Sequence, residues 1–450
     1  MRVSRRETAA VGAGAVLVAA AVLLPRLDRG VRPRLDIGPE RFGTHEQASP
    51  LFGTWEIHAS WGTVPAILIA MAAVAWGPVV AQRLSWRSLT LVSWAVACGW
   101  AFALAMIDGW QRGFAGRLTR PEEYLSQVPG ITDIPAAVRT FAGRIVDYQP
   151  NSWVTHVSGH PPGALLTFVW LDRIGLHGGA WAGLLCLLAG SSATAAVLVA
   201  VRALADEQTA RRAAPFVAVA PTAIWVAVSA DGYFAGVAAW GIALLAVAVH
   251  RRLRFPILVA AAAGLLLGWA VFLSYGLALL GLPALAVLAS APSRQTALRA
   301  FGPAVAAALA VAVSFAVAGV SWVDGYTLVQ QRYWQGIARY RPFQYWWWAN
   351  LASAVCAIGL GSVAGITRVF DAAAIRRRCG LHLLLLAMLA AIACADLSML
   401  SKAEVERIWL PFTLWLTAAP ALLSVRSHRV LLALNVVGAL LVNTVMVTNW

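Results

Sequence analysis

One acidic residue stands directly after an apolar run, in the sequence Met-Ile-Asp-Gly-Trp centred on Asp108. A carboxylate at the end of a membrane span is partly desolvated, so its pKa can move toward that of a general base. The alternative is a helix-end acid that is merely solvated. We therefore consider Asp108 the first candidate for catalysis.

A second polar segment, His-Val-Ser-Gly-His-Pro-Pro-Gly, covers residues 156–163. His156 and His160 have the i, i+4 spacing that could hold a metal ion on a continuous helix. The glycine and the two prolines argue against such a helix and instead predict a new helix that begins near residue 161. Its free N–H groups would form an anion site suited to phosphate, with His160 beside it as a donor. A simple helix start is the alternative.

A third segment, 401–409 (SKAEVERIW), contains the only lysine of the chain, Lys402. Glu404 and Arg407 are three residues apart and could form an ion pair on a helix. The segment lies between two apolar runs, so it is either part of a site or a solvated loop with an aromatic anchor.

Further candidates lie in other loops of the same predicted side. Arg332 and Tyr333 belong to a segment in which arginines alternate with aromatic residues, a pattern that suits sugars and phosphates but also an aromatic belt. Asp231 follows Ser-Ala at a tight turn between two apolar runs, and Tyr275 lies at another such turn. Either could face the same cavity.

These residues must be positioned by membrane helices. The chain of 450 residues is 60% hydrophobic and 12% charged, which is typical of an integral membrane protein. We predict an all-α polytopic fold of about thirteen transmembrane helices with outer interfacial helices. The predicted spans lie near 9–25, 60–82, 88–107, 180–201, 213–230, 232–249, 255–272, 275–290, 301–320, 346–366, 380–396, 408–424 and 430–448.

Arginines occupy alternate loops and indicate a cytoplasmic N-terminus. The whole formal net charge of +15 then falls on the cytoplasmic side, which explains the basic composition without nucleic acid. All the candidate residues fall on the outer side. Residues 108–179 form one long outer loop, in which 163–176 is predicted to be a helix lying in the membrane interface.

The domain prediction has two parts. Residues 1–57 are expected to form an uncleaved signal-anchor helix and an outer loop, and residues 58–450 the polytopic transmembrane domain. The five cysteines lie in or beside apolar runs and are interpreted as small packing residues.

The acid beyond an early span, followed by an outer loop that ends in His-Pro-Pro before an interfacial helix, resembles the GT-C superfamily of integral-membrane glycosyltransferases. The similarity extends over roughly residues 88–410 and is greatest to the branch of protein O-mannosyltransferases and the lipid A aminoarabinose transferase. Asp108 follows the third predicted span, whereas the family's acid usually follows the first. Many members also have a second acid, for which Glu122 or Glu123 is the candidate here.

The resemblance implies transfer of a sugar from a polyprenyl-phosphate carrier to a glycan, lipid or protein acceptor, on the outer face of a bacterial cytoplasmic membrane. Asp108 would be the base, and His160, Lys402 and Arg407 would bind the donor phosphate. The substrate-binding residues would be His156, Asp231, Tyr275, Arg332, Tyr333 and Glu404. No resident cofactor is expected, and a divalent metal is left open. The alternative is a transporter or a flippase for lipid-linked sugars, although the predicted spans hold few charges near their middle.

Overall fold

The computed structural model describes residues 3–27 and 48–448, and most of these residues are helical. The helices are α1 (Arg5–Leu23), α2 (Thr63–Arg83), α3 (Trp86–Ala105), α4 (Ile134–Arg139), α5 (Thr155–Ser158), α6 (Pro162–Arg173), α7 (Gly179–Leu204), α8 (Glu207–Ala218), α9 (Ala223–Val226), α10 (Ala230–His250) and α11 (Pro256–Val271). They continue as α12 (Gly281–Ala289), α13 (Arg294–Val317), α14 (Trp322–Gln335), α15 (Phe343–Ile358), α16 (Leu360–Val369), α17 (Ala372–Arg376), α18 (Gly380–Leu397), α19 (Val405–Ile408), α20 (Leu410–Leu416) and α21 (His428–Val445).

Eight helices in the described part of the chain are long and apolar enough to cross a membrane, namely α1 with its following turn, α2, α3, α7, α10, α13, α18 and α21. The pair α15 and α16 is bent by 106° and gives a ninth span if it is counted as one crossing. Three more predicted spans coincide with shorter apolar helices at Pro256–Val271, Tyr275–Ala289 and Leu410–Leu422. The remaining one, 213–230, falls on α8 and α9, which are interrupted. The all-α polytopic fold is confirmed.

Small residues allow α7 and α10 to pack with their backbones in contact. A Cβ atom on Gly236 would lie 2.2 Å from the backbone oxygen of Ala189, and one on Gly190 would lie 2.8 Å from that of Gly232. Only glycine permits this distance, and close packing at small residues is the usual way in which membrane helices associate. The contact fixes the first turn of α10, which contains Asp231.

One end of the bundle, hereafter the site end, is the end at which α3 finishes and α10 begins. There a two-stranded antiparallel sheet joins β1 (Gly53–Trp55) to β2 (Met446–Thr448). Asn443 in the last turn of α21 also donates a hydrogen bond to the backbone oxygen of Leu104, at 3.0 Å. The segment before α2 and the end of the chain are therefore attached to the same end of the bundle.

The long segment between α3 and α7 is built of short helices and turns. α6 begins at Pro162, with Pro161 as its N-cap, so the predicted helix start is confirmed. The first half of α6 is buried, and a Cβ atom on Gly163 would lie 2.5 Å from the backbone oxygen of Phe272. This close approach fixes α6 against the end of α11.

The predicted domain division stays a prediction, and residues 28–47 of its first part lie outside the described residues. On either side of them, the chain packs on the transmembrane domain. Arg6 in α1 donates a hydrogen bond to the backbone oxygen of Thr367 at 2.8 Å, and Tyr345 in α15 donates one to Ala21 at 2.8 Å.

Candidate functional site

Asp231 and Arg407 form a buried ion pair at the site end. The Nη1 atom of Arg407 lies 2.5 Å from Oδ2 of Asp231, and its Nη2 lies 3.2 Å from Oε2 of Glu404. Asp231 and Arg407 are only 3% and 5% exposed, so each charge depends on its partner for compensation. Burial alone would lower the pKa of Arg407, but the charges of Asp231 and Glu404 raise it overall. The predicted Glu404–Arg407 pair is confirmed.

The loop before α19 holds Glu404 in an unusual backbone conformation. Ala403 has a φ angle of 67° and Glu404 has one of 62°. Both angles lie in the left-handed region of backbone conformation, which residues other than glycine and asparagine rarely adopt. Each such residue costs about 1–2 kcal/mol. Two buried contacts hold the loop in place, since Asn350 donates to the backbone oxygen of Ser401 and accepts from the backbone N–H of Ala403, at 2.8 and 3.1 Å.

The lone lysine extends the ion-pair network. Arg341 donates to Oε1 of Glu404 at 3.0 Å and to the backbone oxygen of Lys402 at 2.8 Å. Lys402 in turn donates from Nζ to the backbone oxygen of Arg341 at 2.8 Å and lies 4.5 Å from the centre of the Trp334 ring. Burial and the charge of Arg341 both lower the pKa of Lys402. We call Asp231, Arg407, Glu404, Arg341 and Lys402 the Asp231 cluster.

Glu123 lies beside this cluster. Its Oε1 is 3.2 Å from Nδ1 of His156, and its Oε2 is buried without a hydrogen-bond partner among the described residues. Burial raises the pKa of Glu123 to about 8, with Arg407 acting against this and Asp231 adding to it. Burial and the charge of Arg407 lower the pKa of His156 well below its usual value. At neutral pH, Glu123 is therefore largely protonated and His156 is uncharged.

The ring of His160 has a defined orientation. Its Nδ1 lies 2.7 Å from the backbone oxygen of His156 and 2.9 Å from the hydroxyl of Tyr124. Because a carbonyl oxygen can only accept, Nδ1 carries the proton, and Nε2 of the neutral ring is an acceptor. Burial lowers the pKa of His160, although the charge of Asp231 opposes this. This state suits contact with a hydroxyl group better than the predicted donation to a phosphate.

Helix α14 connects the two histidines to the lone lysine. Arg332 donates from Nε to the hydroxyl of Ser158 at 3.2 Å and pairs with Asp147 through Nη1. The next residue, Tyr333, accepts a hydrogen bond from the backbone N–H of Lys402 at 3.0 Å. The two adjacent side chains thus attach α14 to α5 on one side and to the loop of the Asp231 cluster on the other.

Asp108 lies in a separate group at the same end. Its Oδ1 is 2.6 Å from Nε2 of His58 and its Oδ2 is 2.6 Å from Nη2 of Arg117, and the Asp108 side chain is 6% exposed. The Nδ1 atom of His58 donates to the backbone oxygen of Glu56 at 2.8 Å, so a second proton on Nε2 makes the ring a cation. The hydrogen bond to Asp108 accordingly raises the pKa of His58, against the effect of burial. We call Asp108, His58 and Arg117 the Asp108 triad.

The β1–β2 sheet lies between the triad and the cluster. Arg117 donates to the backbone oxygen of Thr448 in β2 at 2.7 Å, and Thr448 is paired with Gly53 in β1. The preceding residue, Phe52, donates its backbone N–H to Glu406 at 2.9 Å, next to Arg407 in the chain. Burial lowers the pKa of Arg117 to about 10. The charge of Asp108 partly opposes this lowering, whereas the charge of Arg120 adds to it. Arg120 also lowers the pKa of Glu123, so its charge acts on both groups.

Most of the predicted site residues lie at the site end and in contact with one another. Asp108 and Tyr275 are the exceptions to this contact. Asp108 belongs to the separate triad, and the ring of Tyr275 packs against Trp322 and Tyr326 of α14 at centroid distances of 5.3 and 5.9 Å. The sequence interpretation did not select His58, Arg117, Tyr124 or Arg341. For two of them the sequence did contain a signal of a functional role. Arg341 belongs to the same arginine- and aromatic-rich segment as Arg332 and Tyr333, and Tyr124 follows the two candidate second acids, Glu122 and Glu123. The roles assigned to all these residues stay predictions.

The described residues contain no group of three or more His, Cys, Asp or Glu side chains that could hold a metal ion. His156 and His160 are separated by the end of α5, and the Nδ1 atom of each is engaged by protein groups.

Comparison with known proteins gives a match by structure alone. No family model matches the chain, and no curated protein matches it by sequence. The oligosaccharyltransferase of Archaeoglobus fulgidus in its apo form aligns over 77% of this chain with a TM-score of 0.51 and 13% identity. The same enzyme in complex with zinc and sulfate aligns over 79% with a TM-score of 0.50 and 14% identity. The chain has a GT-C-like fold.

The structural likeness confirms the predicted GT-C-like fold, while membership of the superfamily and the branch within it stay predictions. The chain spans about half the length of the solved structures, since the matches cover 51% and 52% of them. A third structure of the archaeal enzyme, in complex with an inhibitory peptide and a dolichol-phosphate, aligns over 76% of this chain and 50% of the archaeal chain. Its TM-score is 0.43 at 14% identity.

Proposed function

We propose that this protein is a membrane glycosyltransferase that moves a sugar from a polyprenyl-phosphate carrier to an acceptor. The observation that carries the proposal is the grouping of three cationic side chains in the Asp231 cluster. Arg341, Lys402 and Arg407 lie together there around the carboxylates of Asp231 and Glu404.

Burial shifts two neighbouring acids toward their protonated forms, since it raises the pKa of Glu123 to about 8 and also raises that of Glu406. These acids therefore compensate the three cations less than exposed carboxylates would. A polyprenyl-phosphate sugar is a phosphodiester with one negative charge, and guanidinium and ammonium groups bind phosphate oxygens through charge-assisted hydrogen bonds. The leaving group of the reaction is then a phosphate held by cations, which is the electrostatic help that such a departure requires.

Two acids are candidates for the base that activates the acceptor hydroxyl. Asp108 is the predicted one, and to act it must exchange a hydrogen bond from His58 or Arg117 for one from the acceptor. Glu123 has a free oxygen, Oε2, and a pKa near 8, which places its ionisation close to working pH. The neutral Nε2 of His160 would accept a hydrogen bond from the same acceptor.

We also propose that the site end faces the outside of the cytoplasmic membrane and that the acceptor is a glycan, lipid or protein of the bacterial cell envelope. The alternating arginines support the orientation, because the loops at the other end contain most of the excess positive charge. GT-C-like folds also serve different acceptors, so the fold supports the reaction class by analogy only. Transport or flipping of a lipid-linked sugar is the alternative function.

The test is product analysis with the full-length protein purified in detergent. We expect incubation with a panel of polyprenyl-phosphate sugars and bacterial envelope acceptors to give a product heavier by one sugar, detected by mass spectrometry. Loss of a general base lowers the rate by about 10²–10⁴-fold. Asp108→Asn and Glu123→Gln should therefore distinguish the two candidates, because only the variant that lacks the true base should show a loss of rate of this size.

Asp172→Asn is the matched control, because Asp172 is a partly exposed acid in α6 that pairs with His177 outside the cluster. It should retain the wild-type rate, and thermal unfolding should show that all variants are folded. Full activity in both Asp108→Asn and Glu123→Gln would reject the proposed site, and the absence of product from every donor would reject the reaction.

A further inference from the structure

A second cationic site lies at the end of the bundle opposite the site end. A cavity of about 280 Å³ opens there between α2, α8 and α21, and it is lined in part by Arg211, Arg212, Arg426 and Arg429, with Gln82 and Gln208. Its volume approaches the ~300 Å³ at which small-molecule pockets typically begin.

The cavity is separate from the proposed transfer site. α2 begins at the site end, beside His58, and its last two turns contribute Pro78 and Gln82 to the cavity. A helix of 21 residues is about 30 Å long, so this length separates the cavity from the Asp231 cluster. α21 confirms the direction, since it begins at the cavity with His428 and ends beside β2.

The arginines of the cavity differ in their partners. Arg211 is engaged by Glu207 at 2.6 Å and by the backbone oxygens of Ala81 and Leu84, so it supports the wall. Arg212 and Arg429 have no carboxylate partner among the described residues. The Nε atom of Arg212 is buried and has no hydrogen-bond partner in this part of the chain.

Exposed Arg426 likewise has no carboxylate partner in the described ranges, and the cavity lining includes no acid. Three guanidinium groups therefore lie at one cavity without an ion-pair partner among the described residues. Guanidinium groups recognise phosphate oxygens through paired hydrogen bonds, and the two glutamines offer further donors. Apolar lining residues such as Val425 and Phe216 would contact a less polar part of a ligand.

We propose that this cavity binds a phosphate-bearing anion. Basic pockets between transmembrane helices commonly bind the head groups of anionic lipids, and a soluble phosphate compound presents the same chemistry. The site is independent of the glycosyl transfer reaction, because none of its residues belongs to the Asp231 cluster or the Asp108 triad.

Native mass spectrometry of the full-length protein in neutral detergent tests the binding of an anionic lipid. Phosphatidylglycerol is the anionic probe, and zwitterionic phosphatidylcholine is the reference without net charge. The wild type should retain phosphatidylglycerol selectively. The double variant Arg212→Gln/Arg429→Gln should bind it roughly 20-fold more weakly, from the loss of two head-group cations. Arg252→Gln/Arg254→Gln removes the same charge from exposed residues that do not line the cavity, and it should bind like the wild type.

Thermal unfolding with inorganic phosphate distinguishes the two sources. Stabilisation by phosphate in the wild type but not in the double variant, without retention of phosphatidylglycerol, would identify a soluble ligand. Selective retention of phosphatidylglycerol would identify a lipid head group. Equal retention by the wild type and the double variant, with no effect of phosphate, would overturn the proposal. If the double variant does not fold, the single variant Arg429→Gln, at an exposed residue, replaces it.

Discussion

At the scale of single residues, the Asp231–Arg407 pair is the centre of the candidate site. The sequence could predict the neighbouring Glu404–Arg407 contact, because a separation of three residues on a helix brings side chains together. It could not predict the contact to Asp231, because the two residues are 176 positions apart and meet only through the packing of α10 against the segment after α18. The spacing of residues on a helix therefore predicts contacts within that helix but not contacts between distant segments of the chain.

Removal of Arg407 should be more harmful than removal of the whole pair. Arg407→Gln leaves the buried carboxylate of Asp231 without its cation, whereas Glu404 keeps its pair with Arg341. Breaking a buried pair in this way costs about 3–5 kcal/mol. The double variant Asp231→Asn/Arg407→Gln also removes the Asp231 charge and should recover part of the loss. Thermal unfolding in detergent measures both. A double variant that is less stable than Arg407→Gln would contradict a charge-compensation role.

The stability of the protein should depend on pH through Glu123. Burial raises its pKa from 4.5 to about 8, so the folded state binds more protons than the unfolded state between these values. The contribution to stability is therefore fully present below about pH 4.5 and is lost as pH rises through 8. Glu123→Gln should lose less stability than the wild type between pH 5 and 8.5. The variant Asp172→Asn, in α6 and outside the cluster, is the control and should follow the wild type.

At the scale of elements, the helix start at Pro162 was predictable and the break between α15 and α16 was not. The prolines before α6 give a local signal, since proline is favoured in the first turn of a helix. The predicted span 346–366 crosses the break at Gly359 without interruption, because its composition is uniformly apolar. Only the packing shows the 106° bend, with Asn435 accepting a hydrogen bond from the backbone N–H of Gly361 at 2.7 Å.

The break should require glycine at position 359. Gly359 has φ of +82°, and a Cβ atom there would lie 2.4 Å from Oδ1 of Asn435. Gly359→Ala should therefore destabilise the protein by at least about 1–2 kcal/mol from backbone strain alone. Gly438→Ala is the matched control, since no atom lies within 4 Å of its Cβ position, and it should stabilise α21 by up to ~1 kcal/mol. Equal unfolding temperatures for the two variants would contradict this account of the bend.

At the scale of the whole molecule, the apolar runs determined the fold class, and the arginine pattern predicted an orientation that the structure does not test. The structure places Asp108, His160 and Lys402 at one end of the bundle. The sequence predicted this shared end from the alternation of spans. The division into the Asp231 cluster and the Asp108 triad could not be predicted, because it depends on the β1–β2 sheet between residues almost 400 positions apart.

Cysteine labelling in intact cells tests the orientation. The native cysteines are first replaced, and a single cysteine is introduced at Tyr148, which is 79% exposed at the site end, or at Arg252, which is exposed at the opposite end. A membrane-impermeant maleimide should label position 148 in intact cells and position 252 only after lysis. The reverse pattern would place the candidate site on the cytoplasmic side.

The central proposal is that the sugar–phosphate bond of a lipid-linked donor is broken at the Asp231 cluster. Proteoliposomes that contain a labelled polyprenyl-phosphate sugar and a mixture of envelope acceptors test this claim directly, because cleavage and movement of the donor are measured in one sample. We predict that the wild type releases polyprenyl phosphate and transfers the label to an acceptor, and that Arg407→Gln loses both. Movement of the intact donor across the bilayer without cleavage would contradict the account and favour a flippase.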